Sequence, residues 1–348
     1  MKSSLDPIGI GVIGMGFMGR THVRAYQKAI AQGHGAKLLA LCDRSSERFD
    51  GRGRVLKPLP GEDSAALFDP SQLEFTTNSD ALLAREDVQL VSICTHTESH
   101  VDLAIQALEA GKNVLLEKPV ALRASEVERL MRCADRSPGF CMPAMCMRFW
   151  PGWSWLKPAI ASGRYGRVLS ASFRRLCAKP DWAPEFYADL SRSGGALFDL
   201  HIHDADLVQW LFGAPDAVHS SGDLDFVTSS YHYQGGPPHV SAQGGWNHSP
   251  GFPFQMHFSI IFERATAEFS SNAEPQLVLF EDGQQKTLEL PQEFENGYEG
   301  EVLHALEVCR GAAPKLSLQD ALDVVQLLES ERESLGLGAR PKTRSAST

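Results

Sequence analysis

Apolar and polar positions change their rhythm once along this chain, near residue 150. Before that point, short apolar runs alternate with stretches whose apolar residues recur at helical spacing. Ile8–Ile13 is apolar apart from its glycines, and a helical pattern follows to about Ile30. Lys37–Asp43 is a second run, Leu73–Thr77 a weaker one and Val88–Cys94 a strong one. His100–Ala110 reads as a helix stopped by Gly111. A strand ending at Glu117, a helix over Ser125–Asp135 and a strand over Phe140–Cys146 complete the series. This order predicts βαβ units, right-handed crossovers and a doubly wound parallel sheet.

After about Trp150 the runs alternate with a period of two. Val168–Ala178 has the pattern of a strand with one wet face. His239–Trp246, Phe254–Glu263 and Gln276–Phe280 follow, joined by connections rich in Gly, Pro, Asn and Asp. They predict a mainly antiparallel sheet. A helix-like segment, Gly194–Phe212, interrupts it, and helices near Glu299–Cys309 and Leu318–Ser330 close the pattern. The expected fold is an α/β domain over 1–148, an α+β domain over 149–334 and a polar tail over 335–348. Residues 51–72 read as a surface insertion between the second and third strands.

Composition narrows the function. The chain has 348 residues, 43% of them apolar and 22% charged, which suits soluble domains with large cores. A net charge of −10 argues against nucleic acid or an anionic membrane as partner. No apolar run reaches the roughly 18 residues of a membrane span. Met1–Pro7 contain neither an apolar signal core nor twin arginines, so a cytoplasmic location is expected. The seven cysteines are scattered without a CxxC pair, which fits a reducing compartment.

Gly14, Gly16 and Gly19 form G-x-G-x-x-G between the first strand and the first helix, with Phe17 and Met18 inside the motif. The first glycine permits a tight turn, the second a close approach to a pyrophosphate, and the third close helix–strand packing. Asp43 ends the second strand, about 24 residues past Gly19, where an acid binds the adenosine ribose and favours NAD. Arg44 beside it, and Arg52, Arg54 and Lys57 in the insertion, could grip a 2′-phosphate, so NADP or dual use stays open.

Two further segments carry chemistry. Val114-Leu115-Leu116-Glu117-Lys118-Pro119 runs from a buried strand into a lysine at its carboxyl end, where open α/β sheets bind ligands. Pro119 stops the strand, and a half-desolvated lysine there can assist proton transfer. Taken alone, Lys118 would be an ordinary strand-end charge. In Asp199-Leu200-His201-Ile202-His203-Asp204, helical spacing puts Asp199 and His203 on one face. The carboxylate can orient the ring and stabilise its charged form. The His-x-His-Asp run also suits a divalent metal, but a metallohydrolase leaves the glycine loop unexplained, and no metal is expected.

With the glycine loop, Glu117-Lys118-Pro119 and His100, the chain resembles the Gfo/Idh/MocA oxidoreductases. The resemblance extends through Val91–Thr95, Arg148-Phe149-Trp150-Pro151, Gly194-Gly195 and Tyr298–His304. It implies a Rossmann domain followed by a large open-faced sheet, a sugar, cyclitol or related polyol as substrate, and a homodimer or homotetramer. It implies Lys118, Asp199 and His203 as the catalytic set. His203 would take the hydroxyl proton, Lys118 would bind the same oxygen, and Asp199 would tune both. Thr95, His100 and Glu117 are expected at the cofactor edge. Arg148, Trp182, Tyr187 and His201 are expected toward the substrate beside Lys118 and His203. His201 stands where many members have a small residue, and His96 where many have proline. Two rivals remain open: an NAD-dependent glycosidase working through transient oxidation, and a noncatalytic NAD-binding protein.

Overall fold

The apolar runs before residue 150 become one parallel sheet in the computed structural model, which describes residues 6–49, 67–68, 70–289 and 294–337. Its strands are β1 (Ile8–Ile13), β2 (Ala36–Cys42), β3 (Glu74–Thr76), β4 (Leu90–Ile93), β5 (Asn113–Glu117) and β6 (Cys141–Ala144). They lie in the order β3-β2-β1-β4-β5-β6. Every residue of β1 and β4 is buried, as a sheet covered on both faces requires. The covering helices are α1 (Phe17–Ala31), α2 (Ser79–Leu83), α3 (His100–Glu109) and α4 (Ala124–Ala134). The strand order reverses between β1 and β4. In such sheets the crevice beyond the strand carboxyl ends at that point takes the ligand.

The chain forms two compact units. The first comprises Met1–Ser154 with Leu290–Leu322, and the second Trp155–Glu289 with Asp323–Thr348. The division differs from the expected one: the first unit runs past 148 and regains 290–322, which the sequence reading assigned to the second domain. The reason is α9 (Gly297–Cys309), which packs on α1 within the first unit. Lys28 of α1 pairs there with Glu299 at 2.9 Å and Glu295 at 2.7 Å. These pairings join residues far apart in sequence, so local pattern cannot reveal them.

The second unit contains α5 (Leu156–Ala161), α6 (Pro184–Ala188), α7 (Leu190–Ser193), α8 (Ile202–Phe212) and most of α10 (Leu318–Ser334). Its sheet has eight strands: β7 (Val168–Ala178), β8 (Ala217–Gly222), β9 (Phe226–His232), β10 (His239–His248), β11 (Gln255–Phe262), β12 (Ala265–Ser270), β13 (Leu277–Glu281) and β14 (Gln284–Thr287). Their order is β14-β13-β12-β11-β7-β10-β9-β8. All pairs are antiparallel except β7 with β10. Met256, Phe258 and Ile260 alternate inward along β11 while Gln255, His257 and Ser259 face outward, which is the predicted one-sided burial. The doubly wound sheet and the mainly antiparallel second sheet thus match the expected fold class. Arg52, Arg54 and Lys57, most of the 51–72 insertion and residues 338–348 lie outside the described residues. Among the described residues, no helix is long and apolar enough to cross a membrane.

Candidate active site

The glycine loop leaves β1 at its carboxyl end. Gly14 has φ +93°, a left-handed conformation that favours glycine. A Cβ on Gly14 would stand 2.5 Å from the Cys94 carbonyl oxygen. A Cβ on Gly19 would collide with the Gly14 carbonyl oxygen, so α1 can start close to the strand only with glycine there. This bare cradle at a helix N-terminus fits a dinucleotide pyrophosphate. Phe17 and Met18, the first residues of α1, are half-buried.

Asp43 is tied to the same loop. Its Oδ2 accepts a 2.7 Å hydrogen bond from the Met15 N–H, and its Oδ1 one of 2.9 Å from the Ser45 N–H. The acid therefore holds the glycine loop in shape. Arg44 is exposed. Arg48, which sequence reasoning missed, has Nε 3.7 Å from Asp43 Oδ1 and Nη1 3.4 Å from the Cβ position of Gly16. It puts a guanidinium beside the glycine turn. Its only sequence signal is a base shortly after the strand-ending acid.

Lys118 follows β5 directly and is half-buried, and Lys118–Pro119 is a cis peptide. Register pairs Ile13 with Ile93 and Ile93 with Leu116, so Gly14, Cys94 and Glu117 stand level at one end of the sheet and Lys118 follows one residue beyond. Glu117 Oε2 accepts from the Lys118 N–H at 3.0 Å, which fixes the lysine's main chain. Glu117 is itself 4% exposed, and its Oε1 lies 2.9 Å from His22 Nε2. It sits beneath the ligand edge. His100 is also buried. Its Nδ1 lies 2.8 Å from the Pro119 carbonyl and its Nε2 3.0 Å from the Thr95 carbonyl, so it ties the ends of β4 and β5 together. Burial pushes its pKa down, so the neutral ring has a proton for only one of these acceptors. Thr95 is half-buried, and its hydroxyl oxygen accepts from Ser99 at 2.8 Å.

Arg148, also in the first unit, is 6% exposed and donates to Asp320 at 2.8 Å. Burial alone would raise the Asp320 pKa, but hydrogen bonds from Ser317 and Arg148 outweigh it and hold the acid below its ordinary value. Arg148 was expected toward the substrate; one of its donors is engaged by Asp320.

In the second unit, Gly194 and Gly195 have φ +71° and +70°, and a Cβ on Gly195 would stand 2.5 Å from the Leu224 carbonyl oxygen. The following turn, Leu197–His201, is a π-helix that runs into α8. Such widened turns often occur at functional sites. Asp199 lies in that turn, His203 lies in the first turn of α8, and both are half-buried. Burial, then the charge of Asp199, pushes the Cys177 thiol of β7 up to about 12.

His201 departs from expectation. It is fully buried, and its Nε2 lies 2.8 Å from Glu331 of α10. Burial opposes its charge, but Glu331 and then Asp204 override that and raise its pKa. Asp204 in turn pairs with buried Arg175 at 2.8 Å. His201 is thus a member of an internal ion network and is not turned toward a ligand. Tyr187 is likewise a core residue, 7% exposed, with its ring centroid 5.4 Å from that of Trp246. Trp182 is 39% exposed and meets Tyr187 edge-on at 5.8 Å, so of these two aromatics only Trp182 presents a face. Among the described residues, the metal-like grouping of donors is His22, Glu117 and Glu301, not the 201–206 segment.

Comparison with known proteins agrees with this geometry. Residues 8–145 match the Gfo/Idh/MocA oxidoreductase family with its NAD-binding Rossmann fold, and residues 153–272 match the family's C-terminal domain. An uncharacterized oxidoreductase of Rhizobium meliloti, ORF334, is 36% identical over 151 residues, 42% of this chain and 44% of its own length. Inositol 2-dehydrogenase of Rhizobium meliloti strain 1021 is 30% identical over 234 residues, 64% of each chain. The chain thus spans about half the length of such relatives, or somewhat more. Levoglucosan dehydrogenase in complex with NADH and L-sorbose superposes with a TM-score of 0.80 at 20% identity, covering 95% of this chain and 97% of that one. That likeness concerns the fold. With residues 8–145 and 153–272 matched by the family's two domain models, the chain belongs to the Gfo/Idh/MocA oxidoreductase family.

Proposed function

We propose that this protein is an NAD-dependent dehydrogenase of a sugar, cyclitol or related polyol, with Lys118, Asp199 and His203 as its catalytic residues. The observation that carries the reading is Lys118 at the carboxyl end of β5, its main chain fixed by Glu117, on the edge that bears the glycine cradle. Bound NAD would supply the hydride acceptor for a carbinol carbon. His203 takes the hydroxyl proton as a general base. Lys118 donates a hydrogen bond to the same oxygen and stabilises its developing negative charge. Asp199 favours the charged form of both partners. Asp43 favours NAD by occupying the position that a 2′-phosphate would need.

Association into a homodimer or homotetramer and a cytoplasmic location belong to the same reading. Light scattering at assay concentration checks the first, and a monomer that turns over at the full rate would remove it. For the activity, a panel of sugars, cyclitols and sugar acids is screened with NAD and NADP by nicotinamide absorbance. Net NADH formation is expected with at least one polyol. Removing His203 or Lys118 by alanine substitution should lower kcat by at least about 100-fold. Wild-type turnover in both variants would reject the assignment. Substrate cleavage without NADH accumulation would favour the glycosidase instead.

A further inference from the structure

Beneath Lys118, α1, β5 and α9 bring three titratable side chains together in the first unit. His22, Glu117 and Glu301 have donor atoms within 4.8 Å of one another, and all three are buried. Two have clear partners. Tyr26 Oη lies 2.8 Å from Ser92 Oγ, which lies 3.1 Å from His22 Nδ1. His22 Nε2 lies 2.9 Å from Glu117 Oε1, and Glu117 Oε2 receives the Lys118 N–H. Glu301 differs. It is 0% exposed, its Oε1 stands 3.7 Å from His22 Nε2, and neither of its oxygens has a hydrogen-bond partner among the described residues.

A second bare carboxylate cannot persist there. An unpaired buried charge costs several kcal/mol, about 3–5 in measured cases, and a group so placed takes up a proton instead. The facing titratable groups leave little alternative. His22 and Tyr26 come from α1, Cys94 from the end of β4, Glu117 and Lys118 from β5, and Cys309 from α9 itself. Lys118 alone among them pulls the Glu301 pKa down. Burial and then Glu117 push the Glu301 pKa well up, and Lys118 offsets this only in part. A divalent cation is the other way to neutralise the pair. It would have to displace the 2.9 Å His22–Glu117 hydrogen bond, and Lys118 already sets a positive field at Glu301.

We propose that His22, Glu117 and Glu301 form a buried triad in which Glu301 holds a proton at neutral pH, so that one carboxylate charge, on Glu117, remains to anchor Lys118. Glu301 and His22 are then positioning residues. They act through Glu117, whose second oxygen fixes the main chain of the lysine. The proposal rests on the assignment of Lys118 to hydride transfer for its functional consequence, but not for its protonation chemistry. Releasing the Glu301 proton puts a second negative charge beside Lys118 and disfavours its neutral form.

The sign of the stability effect follows from the proton. A native carboxyl with a raised pKa binds its proton more tightly than the unfolded chain does. Its contribution therefore makes stability fall as pH rises above the ordinary glutamate value of about 4.3. Glu301→Gln copies the protonated shape and removes that titration.

The test uses the full-length protein and Glu301→Gln. The infrared spectrum of the wild type at neutral pH should contain a protonated-carboxyl carbonyl band that Glu301→Gln lacks. The fall in stability between acid and alkaline pH should be shallower in the variant. Glu117→Gln should lower kcat by about 100-fold through a misplaced lysine, with its alkaline titration shifted. If Glu117→Gln does not fold, Glu301→Gln still decides the matter. A missing band, a band that persists in Glu301→Gln, an unchanged pH slope, or a stoichiometric metal lost with Glu301 would overturn the triad. Lys118→Ala separates the two readings: unchanged turnover there rejects the hydride-transfer assignment while the infrared and stability results still stand.

Discussion

Replacing Glu331 by alanine removes one carboxylate that serves three partners. Its Oε2 accepts from Ser229 Oγ at 2.8 Å, its Oε1 from Tyr231 Oη at 2.8 Å, and its Oε2 faces His201 Nε2 at 2.8 Å. Exposure of all four side chains is at most 1%, so water does not replace the carboxylate without rearrangement. Breaking a buried ion pair by deleting one partner costs about 3–5 kcal/mol. Each stranded hydroxyl adds about 1–3 kcal/mol, less whatever the two regain from each other. A loss of at least about 3–5 kcal/mol, the ion-pair contribution alone, is expected near pH 6. The pH sign is fixed by His201. Its folded pKa is raised, so the pair's contribution is complete below about 6.5 and is lost as pH rises through the folded value. Urea unfolding of wild type and Glu331→Ala at about pH 6 and about pH 9 measures both, provided the m-values agree. The difference should shrink at the higher pH. A loss below about 1 kcal/mol near pH 6, the value for an exposed pair, would refute the reasoning. So would a loss independent of pH.

Two further outcomes follow from the same kind of geometry. Asp43→Ala strands the Met15 and Ser45 N–H groups and loosens the cradle. NAD affinity by fluorescence titration should drop by about 10–100-fold, matching a charge-assisted hydrogen bond of about 1.5–3 kcal/mol, with a smaller preference over NADP. Unchanged affinity would detach Asp43 from the cofactor. Gly244→Ala puts a Cβ 2.7 Å from His201 Cβ and 3.0 Å from its Cα, where the main chain cannot yield cheaply. A destabilisation of about 1–3 kcal/mol by urea unfolding is expected, and a neutral result would mean that the π-turn shifts without cost.

Much of the first unit was legible because its signals are local. An apolar run, three glycines and an acid at a strand end each declare themselves within a few residues. The π-turn at Asp199 was not legible, since helical spacing reads the same whether the turn closes on the fourth or the fifth residue. Nor was the return of 290–322 to the first unit. α9 is buried along most of its length and shows no one-sided stripe, so its neighbour on α1 cannot be read from its own pattern. The parallel pairing of β7 with β10 escaped for the same reason, because alternation reports one wet face and is blind to strand direction. The interior partners of Arg148 and Tyr187 were not legible because a charged or aromatic residue in a motif suits a ligand and an interior partner equally well, and Asp320 and Trp246 are distant in sequence.

His201 and Glu117 yield a more general point. Each lies one or two residues from a candidate catalytic side chain, and each is buried where that side chain is only half-buried. Backbone geometry enforces the division. Neighbours at a strand end point to opposite sides, so when Lys118 faces the ligand edge Glu117 must face the interior. Residues two apart on a helix diverge by about 200°, so His203 and His201 cannot share a face. A polar residue forced inward needs partners. Glu117 finds His22 and the Lys118 N–H, and His201 finds Glu331. Glu-Lys and His-x-His thus each join a half-buried candidate residue to a buried polar one. Glu117 holds the main chain of Lys118 by a hydrogen bond, which an apolar residue cannot do, whereas His201 is held through the side chain of Glu331. The two histidines of 201–203 consequently lack the common direction that a metal pair needs, although their spacing in sequence suggests one.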